Sequence, residues 1–131
     1  MAPDRRVLLI AGLAFLIRLV WVVLVPVQPV SDSAMYDSLA RQLAAGHGYT
    51  YPGGATTVYW PVGPAAFYGL CYRLFGASGL TVALANLALS VALLMGIHRF
   101  ALNRFGRCTA EIASLIFAVW PVWIQFTTTL S

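Results

Sequence analysis

Between Ala77 and Ile97 the chain carries no charged residue over 21 consecutive positions. As a helix at 1.5 Å per residue, that run is about 31 Å long, the thickness of a bilayer's hydrocarbon core. Two further runs repeat the pattern. Val7 to Val30 follows Arg5 and Arg6 and is interrupted only by Arg18, and Ile112 to Leu130 is uncharged throughout, with Pro121 placed to kink it. A chain with three such runs has too little polar surface to face water. Its charged residues amount to 9%, against about 25% in soluble domains. The expected fold is therefore an all-α integral membrane fold, a single incomplete module with spans over about 7–30, 77–98 and 110–130.

The first run is also preceded by basic residues, as in a secretory signal peptide. It is too long for one, Arg18 breaks it, and no small-x-small cleavage site follows. All eight basic residues are arginines and the formal net charge is +4. They border the apolar runs instead of clustering on a water-facing surface, which argues against nucleic-acid binding. Arg5 and Arg6 mark one cytoplasmic end, and a short basic loop with Arg99, Arg104 and Arg107 marks another. Three spans satisfy both, with the N-terminus cytoplasmic and a large extracytoplasmic loop over about 31–76. Cys71 and Cys108 then lie on opposite sides of the membrane, too far apart for a disulfide. The apolar run that reaches Ser131 without a polar tail reads as an interrupted chain.

Two short helices are expected in the loop. From Ser31 to Leu43 the apolar set Met35, Tyr36, Leu39 and Leu43 falls on one helical face. Ser31 or Asp32 caps its start and Gly46 or Gly48 ends it. Asp37 and Arg41 form an i, i+4 pair, read as a solvated one. His47 to Gly63 is punctuated by Gly and Pro and reads as loop. Pro64 to Phe75 is a second helix, too short to span and rich in interface aromatics.

Several side chains have chemistry open to them. Asp32 stands where the chain leaves the bilayer, with Tyr36 one turn on. A carboxylate there can serve as general base toward a hydroxyl or amine, hold a divalent cation beside a lipid phosphate, or simply cap its helix. Arg18 lies mid-span and needs an interhelical partner or a phosphate. Arg73 is a cation for a lipid phosphate or a snorkelling residue. Tyr59 and Trp60 suit either a sugar ring or interface anchoring. His47 is about 22 Å from Asp32 along a straight helix, which disfavours shared metal ligation. Asn86 and Ser90, one turn apart in the second span, read as helix-packing contacts.

The ordered set of Arg18 in the first span, Ser31-Asp32 with Tyr36, Gly46-His47-Gly48-Tyr49, Tyr59-Trp60-Pro61-Val62-Gly63-Pro64 and Leu74-Phe75-Gly76 resembles the N-terminus of GT-C glycosyltransferases. The nearest branches are bacterial relatives of protein O-mannosyltransferases and of the lipid A aminoarabinose transferase. The resemblance implies a bacterial inner-membrane enzyme that moves a sugar from a polyprenyl-phosphate carrier to a lipid, glycan or protein acceptor. It implies Asp32 as catalytic base; Tyr36, Tyr59, Trp60, Arg73 and Arg18 are the candidate substrate-binding residues that the reading of the side chains adds. A divalent cation is the one cofactor left open. The sequence departs from the family where Ser33 follows Asp32 in place of a second acid, and where Trp60 precedes Pro61 in place of a lysine. Three spans do not enclose a catalytic cavity, so this stretch alone is expected to be inactive. A non-catalytic membrane subunit and a transporter segment with Arg18 on the substrate path are the alternatives.

Overall fold

A computed structural model describes residues 4–130. Its regular elements are helices: α1 (Arg5–Leu24), α2 (Asp32–Ala44), α3 (Val62–Phe75), α4 (Gly79–Phe105), α5 (Arg107–Val119) and α6 (Pro121–Gln125), then a 3-10 turn at Phe126–Thr128. Among the described residues there is no strand, only an isolated antiparallel bridge between Thr50 and Thr56. Two helices, α1 with 20 residues and α4 with 27, are long and apolar enough to cross a membrane. The stretch from Arg107 to Thr128 reaches that length only as a pair bent by 56°.

The chain divides into two compact units, Met1–Val25 with Asn86–Thr127, and Pro26–Ala85 with Thr128–Ser131. Helix α4 runs through both. In the first unit, Val7, Ile10 and Ala14 of α1 meet Leu94 of α4 and Phe117 and Ala118 of α5. The contact uses small residues, with Ala110, Ser114 and Ala118 fully buried, so the helix backbones approach closely. Most of the rest of α1 is apolar and exposed, including Leu9, Leu16, Val23 and Leu24. That surface matches lipid and not water. Asn86 of α4 donates from Nδ2 to the carbonyls of Phe126 and Thr127, both at 3.2 Å.

In the second unit α2 packs on α3, with Ala40, Tyr68, Tyr72 and Val82 in the core. Gly69 allows the approach. A Cβ there would fall 3.0 Å from Leu43 Cβ and 3.1 Å from the Ala40 carbonyl oxygen. Helix α3 starts at Val62, two residues earlier than the expected Pro64. Pro64 still falls in the first turn, where no intrahelical N–H is needed.

Two expected boundaries are corrected. The first apolar run reaches Val30, but α1 ends at Leu24 and Val25 is extended at φ −124°, ψ 94°. Pro26 disfavours helical geometry at the residue before it. The basic loop expected after residue 98 is largely helix, since α4 continues to Phe105 and only Gly106, at φ 84°, separates it from α5. Arginines mark the edge of a membrane without ending a helix, and no breaker occurs before Gly106. The third run bends at Pro121, where a kink is expected. Trp120, held extended ahead of Pro121 at φ −68°, ψ 119°, breaks it.

Candidate functional site

The site begins at a strained turn. Ser33 N donates to the Val30 carbonyl at 3.2 Å across Ser31, which holds φ 52°, ψ −126°. That is the first central position of a type II′ turn, normally given to glycine. Ser33 locks the turn by side chain as well. Its Oγ accepts from Val30 N and donates to Val30 O, each at 2.8 Å.

The expected cap is therefore absent from Ser31 and Asp32, since the residue before α2 makes no side-chain capping bond. Asp32 is the exposed first residue of α2. Among the described residues its carboxylate receives one hydrogen bond, from Ser31 Oγ at 3.4 Å. It stays available to an external partner, at the positive end of the α2 dipole.

One turn further along α2, the Tyr36 ring meets Trp60 edge-on, with centroids 5.6 Å apart. Tyr59 also meets Trp60 edge-on, at 5.3 Å. The loop that carries them is ordered by its own polar groups. Tyr51 N donates to Ala55 O at 2.8 Å around Gly53 and Gly54, both with positive φ. Thr57 Oγ1 donates to Tyr51 OH at 3.0 Å and accepts from Tyr59 N at 3.3 Å. The Tyr49 hydroxyl lies 3.1 Å from the carbonyl oxygens of both Trp60 and Pro61 and donates to that pair. Burial, then the neighbouring Tyr36 and Tyr51, pushes the Tyr49 phenol above its ordinary pKa. Tyr59 remains 81% exposed.

Of the residues singled out in the sequence, Tyr36, Tyr59 and Trp60 thus form one aromatic cluster, with Asp32 a turn away. Arg73 is exposed on α3 and has no hydrogen bond or ion pair among the described residues. His47 bonds through Nδ1 to Gln42 Oε1 at 2.8 Å. No three His, Cys, Asp or Glu side chains converge among the described residues. A divalent cation at Asp32 would thus take most of its oxygen ligands from phosphate and water.

Arg18 belongs to the other unit and is fully buried. Its Nη1 donates to Ala14 O at 3.2 Å and Ala118 O at 2.9 Å, and Nη2 to Phe117 O at 3.0 Å. The Phe117 ring faces its guanidinium at 5.1 Å. Pro121 has no N–H for the Phe117 carbonyl four residues back, so the break in the helix frees that acceptor. Arg18 supplies the missing donors and puts its charge at the negative end of α5.

Sequence reasoning missed one constellation. The Tyr72 hydroxyl donates to Asp37 Oδ1 at 2.5 Å. Arg41 Nε pairs with Asp37 Oδ2 at 2.8 Å, and its guanidinium lies 5.4 Å from the Tyr72 ring centroid. The expected solvated pair is instead anchored to a buried tyrosine across the α2–α3 contact. Burial first, and the Asp37 bond second, pushes the Tyr72 phenol well above its ordinary pKa. The hydrogen bond from Arg41 to Asp37 likewise raises the arginine's pKa. The signal was present: Ala65, Tyr68, Gly69 and Tyr72 follow i, i+3, i+4, i+7 and are all buried. A tyrosine on such a stripe needs a polar partner.

No family model, no curated protein and no solved structure matches the chain.

Proposed function

We propose that this chain is the N-terminal module of a bacterial inner-membrane glycosyltransferase that uses a polyprenyl-phosphate-linked sugar. In this reading three spans cross the bilayer with the N-terminus cytoplasmic, the bent α5–α6 pair being the third. The loop of residues 31–76 lies on the extracytoplasmic surface. The observation that carries the reading is Asp32, an exposed carboxylate at the head of α2 that its own helix does not use as a cap. The Tyr36–Trp60 contact one turn away supplies an aromatic wall suited to a sugar face.

Asp32 would accept the proton of an acceptor hydroxyl or amine as that group attacks the anomeric carbon. The bond from that carbon to the phosphate oxygen breaks, polyprenyl phosphate leaves with the electron pair, and the configuration inverts. Arg73, exposed on α3, is the cation available to the carrier phosphate. Tyr59 and Trp60 would stack on the sugar. The transporter alternative has less support, because Arg18 is fully buried on carbonyl oxygens.

The test uses the complete reading frame that carries this segment, expressed in bacterial inner membranes. The membranes are supplied with labelled undecaprenyl-phosphate mannose or undecaprenyl-phosphate aminoarabinose. Asp32→Asn should lower transfer by about 10²-fold or more at unchanged protein level. Undiminished transfer would remove Asp32 from the mechanism. Topology has its own test. With both native cysteines replaced, Ala55→Cys should react with a membrane-impermeant maleimide on intact spheroplasts. Labelling only after lysis would put the loop on the cytosolic side and end the proposal.

A further inference from the structure

One end of the first unit gathers most of its charge. The start of α1 and the start of α5 are joined by ion pairs, Arg6 to Glu111 at 3.1 Å and Arg107 to Asp4. Arg107 also bonds Glu111 at 3.1 Å. The end of α4 reaches the same place, because only Gly106 separates Phe105 from Arg107. About two turns further into the unit, His98 of α4 faces α5, its Nδ1 3.1 Å from Ser114 Oγ.

The two carboxylates at this end are thus occupied by Arg6 and Arg107. Arg5, Arg99 and Arg104 are exposed and have no hydrogen bond or ion pair among the described residues. Arg99 and Arg104 each precede a phenylalanine. Phe100 and Phe105 are 62% and 65% exposed, with ring centroids 6.3 Å apart. The cluster has three cations in excess, two of them beside exposed aromatic rings, at the end of the apolar helix α4.

We infer that this end of the unit is a docking surface for anionic phospholipid headgroups. Charge complementarity selects the ligand. A guanidinium offers two parallel donors that match the oxygens of a phosphodiester. A zwitterionic headgroup also has that phosphate, but its ammonium cancels the field, so the surplus positive charge favours a lipid with net negative charge. The phenylalanines suit the boundary between headgroup and acyl chain, which puts the adjacent arginines at phosphate depth. The inference goes beyond sugar transfer and does not depend on it.

The protein is reconstituted into nanodiscs of phosphatidylcholine and phosphatidylglycerol, and the lipids that stay bound on release are measured by native mass spectrometry. The unmodified chain should retain phosphatidylglycerol above its share of the bilayer. Arg99→Gln with Arg104→Gln should reduce that enrichment by about fivefold per arginine removed, while Arg99→Lys with Arg104→Lys should keep most of it. Raising salt from 0.15 M to 1 M should lower the enrichment for the unmodified protein, since exposed charges are screened; this arm needs no variant to fold. Equal retention of the two lipids, or enrichment unchanged in the Gln pair or at high salt, would overturn the inference.

Discussion

Tyr72 of α3 donates a 2.5 Å hydrogen bond to Asp37 of α2, and Asp37 in turn holds Arg41 at 2.8 Å. A contact between two short helices is thereby given a polar lock beside its small-residue seam. Tyr72→Phe keeps the ring and removes the bond, so it should destabilise the protein by about 1–2 kcal/mol in a denaturant titration. The same bond has a pH signature. With its folded pKa raised, Tyr72 keeps its proton where an unfolded tyrosine, near pKa 10, loses one. Its contribution is constant below about pH 10 and is lost as pH rises through the folded pKa. The unmodified protein should therefore lose stability above about pH 10 more steeply than Tyr72→Phe. Parallel curves for the two would sever the link between Tyr72 and Asp37.

At the head of α2, strain and capping separate three neighbouring serine and aspartate residues. Ser31→Gly relieves a positive φ that glycine adopts freely and should raise stability by about 1 kcal/mol. Ser33→Ala removes both bonds to Val30 and should cost about 1 kcal/mol. Asp32→Asn, at an exposed position that does not cap, should stay within about 0.5 kcal/mol. Thermal unfolding of the three variants checks the order. A large loss for Asp32→Asn would make that residue structural.

Arg18 and Pro121 should be coupled. Arg18→Met leaves the carbonyls of Phe117 and Ala118 without their donors and should cost about 1–3 kcal/mol. Pro121→Ala returns an N–H to the Phe117 carbonyl and lets the helix run on. In that background Arg18→Met should cost less than half as much. A double-mutant cycle in detergent measures the difference, and strictly additive losses would contradict the capping role of Arg18.

Gly69 tests the α2–α3 seam. A methyl group there meets the Ala40 carbonyl oxygen at 3.1 Å, an atom that moves only with its helix. Gly69→Ala should cost about 1–3 kcal/mol by forcing the helices apart. Gly63→Ala has nothing within 4 Å of the added carbon and should be close to neutral. Equal denaturation midpoints for the two variants would show that the seam is looser than described.

How much of this was legible beforehand depends on the range of the interaction. The amphipathic helix from Ser31 to Leu43 was readable because its period lies in the local sequence, and the structure returns it as Asp32–Ala44. The end of α3 at Phe75 and the break at Pro121 were readable for the same reason. The end of α1 was not, because apolar character continues past Pro26 while helical geometry does not. At the candidate site, the one-turn spacing of Asp32 and Tyr36 was legible. The contact of Tyr36 with Trp60 was not, since it depends on how a 24-residue separation folds back.

From sequence alone came the class of the chain: runs too apolar for water, lengths matched to a bilayer, arginines at their margins. Those properties are sums over neighbouring residues and survive any arrangement of the helices. Tertiary structure decided which polar groups met. It took Asp37 from solvent to Tyr72, turned Arg18 to the freed carbonyls of α5, gave the turn at Val30 to Ser33, and left Asp32 open. A buried polar atom takes whichever partner the packing brings within about 3 Å, and no local pattern encodes that distance.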